Sequence, residues 1–195
     1  MARQIINNGT IAGDGTGETL FTAFDKTNDN FVELYKVAGW ASYAQSIATA
    51  QTITSTDSKL VIDGGGAESN SSYLPLEIRG ISELWDTTNN KITPISIGDG
   101  YTMRIDFEIT GKTGNPNGLD ISLDIGGGAT PSNVITERVV STLKAVPYNI
   151  SVAFPFYTLS DFKTNGGQIF LKTDTGTLTI TARMISIHRI SSGTI

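Results

Sequence analysis

Few side chains in this sequence can do chemistry, and their spacing narrows the field further. There is no cysteine, so thiolate catalysis and disulfide stapling are excluded, and the single histidine, His188, falls late in the last alternating segment. A zinc site or a Ser-His-Asp triad would need His188 itself, and no Gly-x-Ser-x-Gly elbow accompanies it. Gly13-Asp14-Gly15-Thr16-Gly17 precedes a helical pattern, where free amides attract anions. It has neither the preceding strand nor the lysine of a phosphate-binding loop, and reads as a turn and cap. Asn28-Asp29-Asn30 offers oxygen atoms but not the spacing of a calcium loop. Asp106, Glu108, Asp120 and Asp124 sit on the polar sides of two alternating segments, where a pair in one groove would suit glycoside cleavage. The aromatic residues Trp40, Tyr73, Trp85 and Tyr101 are candidate sugar contacts if loops bring them together at a surface. These residues predict no catalytic group, no metal and no cofactor.

Bulk properties set the frame for those candidates. The chain has 195 residues, room for one buried domain with an extension. Its 21 glycines and 17% charged residues suit a turn-rich β domain. A net charge of −5 argues against a nucleic-acid partner, which needs clustered cations to displace counterions. No apolar run approaches the length that spans a bilayer, so no membrane partner is expected.

Two regimes of periodicity divide the sequence. Leu20, Phe24, Phe31 and Leu34, with Thr27 filling the gap, follow a four-three-four-three series on one helix face that also takes in Ala23 and Tyr35. Asp14 or Thr16 is the expected N-cap, with Glu18 in the first turn. This face either packs on the chain's own β domain or meets another polypeptide, and two heptads are too few to hold a coiled coil alone. From Gly39 the period becomes two. Met103, Ile105, Phe107 and Ile109 alternate with charged residues, and Leu119, Ile121, Leu123 and Ile125 repeat the pattern with Asp120 and Asp124 outward. Residues 74–81 read as extended, and Asn89-Asn90 as the turn of a hairpin. In the last segment the apolar phase slips from Leu178, Ile180, Ala182 and Met184 to Ile185 and Ile187, which marks a β-bulge near Met184 or a strand end covered on both faces. The expected fold is mainly β: an N-terminal arm and α-helix over residues 1–38, then a jelly-roll-like β-sandwich over 39–195.

The segment Gly13-Asp14-Gly15-Thr16-Gly17-Glu18-Thr19-Leu20, followed by Ala23-Phe24, Lys26 and Asn28-Asp29-Asn30-Phe31-Val32-Glu33-Leu34-Tyr35, resembles an N-terminal segment that recurs in structural proteins of tailed-bacteriophage virions. That segment usually has a basic residue after its first leucine and an aliphatic one before the asparagine; here those positions are Phe21 and Thr27. More loosely, the stretch from Tyr73-Leu74-Pro75-Leu76 through Glu83-Leu84-Trp85-Asp86 to Asp161-Phe162-Lys163-Thr164-Asn165-Gly166-Gly167 resembles the trimeric jelly-roll heads of phage fibres. The resemblance implies a non-enzymatic virion component, a capsid decoration or short head-fibre protein. It would be seated on other virion proteins through its N-terminal segment and assembled as a homotrimer in the host cytoplasm. Leu20, Phe24, Thr27, Phe31, Leu34 and Tyr35 would form the attachment or oligomer interface. A tail-associated fibre or adaptor, and a receptor-recognition module binding a host-surface glycan, are the alternatives.

Overall fold

The computed structural model describes residues 4–9, 15–46, 49–75, 78–80 and 82–193, and over 32–37 the backbone alone. One long helix, α1 (Leu20–Val37), precedes β1 (Gly39–Ala44), β2 (Gln51–Ile53) and β3 (Ser58–Lys59). A small hairpin, β4 (Trp85–Asp86) and β5 (Lys91–Ile92), turns at Asn90, whose φ of 50° is one that asparagine tolerates. Then come β6 (Gly100–Thr113), β7 (Gly118–Asp124), β8 (Val134–Ser141) and β9 (Tyr148–Tyr157). A six-residue helix, α2 (Ser160–Asn165), leads to β10 (Gln168–Thr173) and β11 (Thr177–Ser191).

Two antiparallel sheets face each other. The first runs β1-β11-β6-β9, with β2 pairing the other end of β11, and the second runs β3-β10-β7-β8. Strands close in sequence cross between layers, and the first strand lies beside the last, which is a jelly-roll-like sandwich. The alternation in β6 and β7 decides which side faces in: Met103, Ile105 and Ile109 meet Leu119, Ile121 and Leu123 in a core from which water is excluded.

The phase slip in β11 is a bulge. Thr181 faces Glu108 and Met184 faces Asp106, so Ala182 and Arg183 together oppose Phe107, and Ala182 takes a φ of 47°. The extra residue turns Arg183 inward. Its guanidinium donates to the carbonyls of Val61 (2.8 Å), Thr49 (2.8 Å) and Ile180 (3.2 Å), fastening the β2–β3 region to the bulge. Beyond the bulge Ile185 and Ile187 point into the core and His188 points out.

Several expectations need correction. The N-cap of α1 is Thr19, whose hydroxyl accepts from Thr22 N at 3.2 Å; Asp14 lies outside the described residues, and Glu18 stands before the helix, where it pairs with Lys26. Extended structure over 74–81 is not seen in the described part. Ile78 and Arg79 donate to the Pro75 carbonyl at 3.0 and 3.1 Å, closing a turn, because proline fixes its own φ and offers no ladder donor. Asp124 is buried rather than outward. The loop after β7 folds over it and donates from Gly126 N (3.0 Å) and Ser132 N (2.8 Å). No helix among the described residues is long and apolar enough to cross a membrane.

Candidate functional site

Two surfaces stand out, one on α1 and one at its root. The helix is capped by Thr19 and ends where Ala38 turns extended (φ −95°, ψ 146°) and leads through Gly39 into β1. The arm that precedes it folds back along its polar side. Asn30 Oδ1 accepts from Gln4 N (2.9 Å), and Asn30 Nδ2 donates to Gln4 O (3.0 Å). Gln4 Nε2 donates to Asp29 (2.9 Å), Lys26 Nζ to Ile5 O (3.1 Å), and Glu18 N to Asn7 O (2.9 Å). Lys26, Asp29 and Asn30, all within the motif-like stretch, therefore hold the arm.

The arm holds one flank of α1 and leaves the apolar ridge beside it open. Leu20 is 73% exposed, Phe24 59% and Phe31 55%. The side chains of Leu34 and Tyr35 lie outside those described. Thr27, half-buried in the middle of the series, donates its hydroxyl to Ala23 O at 2.9 Å, so its hydrogen bond is already made within the helix. A partner could cover this ridge without leaving a polar group unpaired.

At the root of α1, three rings line up across the outer face of the first sheet. Trp40 pairs with His188 between β1 and β11, and Trp40 N donates to Tyr73 O at 2.7 Å on its other side. Three neighbouring backbone segments thus present one side chain each to the same face. The Tyr73 and Trp40 ring centres are 5.0 Å apart and those of Trp40 and His188 5.8 Å, with planes 17° apart in both cases. Glycine at position 39 makes this possible. A Cβ there would stand 2.7 Å from Tyr73 O and 2.8 Å from Leu74 C, which would drive the 73–75 segment off β1.

The other two aromatic candidates are not at the surface. Trp85 is buried, with its indole N–H donating to Ile62 O at 3.1 Å. Tyr101 is buried against Phe156, its hydroxyl donating to Asp99 (2.9 Å) and accepting from Ile95 N (2.9 Å). Each meets its one polar need inside the protein, so neither is available to a glycan. The carboxylates separate as well. Asp106 and Glu108 belong to β6 in the first sheet, and Asp120 and Asp124 to β7 in the second, so the two pairs do not meet each other in one groove. Asp106 accepts from Arg104 (2.8 Å) and Glu108 from Thr181 (3.3 Å).

Sequence reasoning passed over the open edge of the sandwich. There β8 and β9 flank a cleft of about 140 Å³ whose wall includes Ile135, Pro155, Tyr157 and Leu159, and Val139 and Leu143 are also exposed. The alternation failure in Val134-Ile135 and Val139-Val140 was its signal, since a strand with apolar residues on both faces is covered on both or waiting to be.

No protein-family model matches this chain, and no curated protein matches it by sequence. Among solved structures it is similar to the Eiger TNF of S. frugiperda at 9% identity, with 81% of this chain and 96% of that one covered and a TM-score of 0.47. It is also similar to vertex protein P5 of PRD1 at 14% identity, with 80% and 99% covered and a TM-score of 0.40.

Proposed function

We propose that this protein is a non-enzymatic structural component of a tailed-phage virion, a capsid decoration or short head-fibre protein that assembles as a homotrimer and is seated by its N-terminal segment. The observation that carries the reading is the exposed ridge Leu20, Phe24 and Phe31 on a helix whose adjoining flank is held by its own arm. Most of the stability of a helix in a protein comes from packing of its apolar face, and in this 18-residue helix that face has exposed side chains. Covering each of these side chains would contribute roughly 1.5–3 kcal/mol. Three copies closing their ridges about a common axis satisfy all of them at once, and the exposed apolar edge at Val139, Leu143 and Tyr157 gives the sandwiches a surface to share. The resemblance of residues 13–35 to the virion segment supplies the setting, and a place on the tail as fibre or adaptor uses the same ridge.

Native mass spectrometry of the full chain tests this. A trimer is expected at micromolar concentration, falling to monomer when Leu20, Phe24 and Phe31 are all changed to serine, while the melting of the β domain is retained. A full chain that stays monomeric both alone and with purified virion proteins would remove the basis of the proposal.

A further inference from the structure

The ring row at the root of α1 borders an open groove of about 680 Å³. Tyr73 is 54% exposed and His188 is exposed, so ring edges and part of the Tyr73 face are in water. Arg79 and Ile190 complete the rim, and among the described residues no carboxylate lines the groove. Arg79 is held in place by its own bond, Nη2 donating to Leu74 O at 3.2 Å. In a chain of net charge −5 this sets one exposed guanidinium beside aromatic rings.

We propose that this groove binds a carboxylated saccharide, with a pyranose ring laid against Tyr73 and its carboxylate at Arg79. The C–H face of a pyranose suits an aromatic ring that is only partly covered, and its hydroxyls suit a rim that stays wet. The guanidinium selects for an acidic sugar over a neutral one. A nucleic acid would need a longer run of cations than this rim carries. An apolar helix would need a deeper trough than an open groove built on the edges of stacked rings. Among the described residues no acid pair lines the site, and the proposal is of binding alone. The groove shares no side chain with the Leu20, Phe24 and Phe31 ridge, so this role stands or falls separately from seating through α1.

The test uses the full chain, with oligosaccharides ending in glucuronic acid or N-acetylneuraminic acid and their neutral counterparts, followed by calorimetry and by tryptophan emission. Trp85 is buried, so a change in emission reports Trp40. Acidic probes are expected to bind about tenfold more tightly than neutral ones, and Tyr73→Ala to weaken them about tenfold. Arg79→Gln should bring the acidic-to-neutral ratio close to one without moving the melting temperature. No binding of any acidic probe at about 10 mM, near the weak limit of specific recognition, overturns the proposal. So does a Tyr73→Ala protein that binds as tightly as the parent. If Tyr73→Ala instead changes the native mass and no saccharide binds, the groove is a contact between copies and the proposal fails.

Discussion

Asn30 grips both polar groups of the Gln4 backbone, accepting from its N–H at 2.9 Å and donating to its carbonyl at 3.0 Å. A single amide side chain does for the arm what a neighbouring strand would do, and it does so from the flank of α1 beside the exposed ridge. Each of these hydrogen bonds contributes on the order of 1 kcal/mol. Asn30→Ala should therefore raise amide exchange over residues 4–9 by about tenfold or more, as read by hydrogen–deuterium exchange, and leave exchange in β6 and β11 unchanged. Equal protection of the arm in the variant would show that the clamp is incidental.

Asp99 ties the C-terminal end of the chain to the body. Its carboxylate is fully buried and accepts from Arg189 (2.9 Å), Tyr101 (2.9 Å), Ser96 N (2.8 Å) and Gly193 N (2.8 Å). Removing one member of a buried pair strands the other in a medium that solvates it poorly. Asp99→Ala is expected to cost about 3–5 kcal/mol in urea unfolding. A loss below about 1 kcal/mol, the range of exposed pairs, would contradict this account.

Alkaline pH should unfold the protein through its buried phenols. Burial foremost, then the hydrogen bond to and charge of Glu83, push the Tyr43 hydroxyl well above its ordinary range; burial foremost does the same for Tyr101. Both groups hold their protons more tightly in the folded state than in the unfolded one. Their contribution is thus fully present below the ordinary tyrosine pKa of about 10 and is lost as pH rises beyond it. The unfolding free energy should fall steadily above about pH 10, and Tyr43→Phe should make that fall shallower. Near neutral pH the same variant should be less stable by roughly 1–3 kcal/mol, because Leu84 N, which donates to the Tyr43 hydroxyl at 3.0 Å, loses its buried acceptor. A pH profile of chemical denaturation reads both effects.

Gly39→Ala should separate Trp40 from Tyr73. The added methyl meets main-chain atoms of the 73–75 segment, which cannot rotate away as a side chain could. Overpacking of this kind costs roughly 1–3 kcal/mol. The expected signs are a lowered melting temperature and a change in Trp40 emission, with the hairpin around Trp85 undisturbed. Unchanged emission would mean that the segment gives way elsewhere.

Much of the fold follows from local pattern, and the places where pattern fails share a physical cause. Met103 to Ile109 could be assigned to a face from sequence, because a period of two leaves no choice once one side is apolar. The irregularity in β11 was legible for the same reason, while the choice between a bulge and a strand end covered on both faces was made by its pairing with β6. Trp85 and Tyr101 show the opposite case. An aromatic ring with one polar group reads alike in a core and on a surface, and only the partners at Ile62, Asp99 and Ile95 separate the two.

By itself the sequence determined the β character, the faces of its longest strands, the helix with its apolar ridge, and the want of a histidine or cysteine constellation for catalysis. Those properties are carried by neighbours along the chain. Which sheet each strand joins was decided only by the tertiary structure. β6 and β7 follow one another through a short link with positive φ at Gly114 and Asn115, yet lie in opposite layers, and this separates Asp106 from Asp120. The ring row at Trp40 likewise draws on residues 40, 73 and 188, brought together by backbone pairing between segments far apart in sequence, which no local period records.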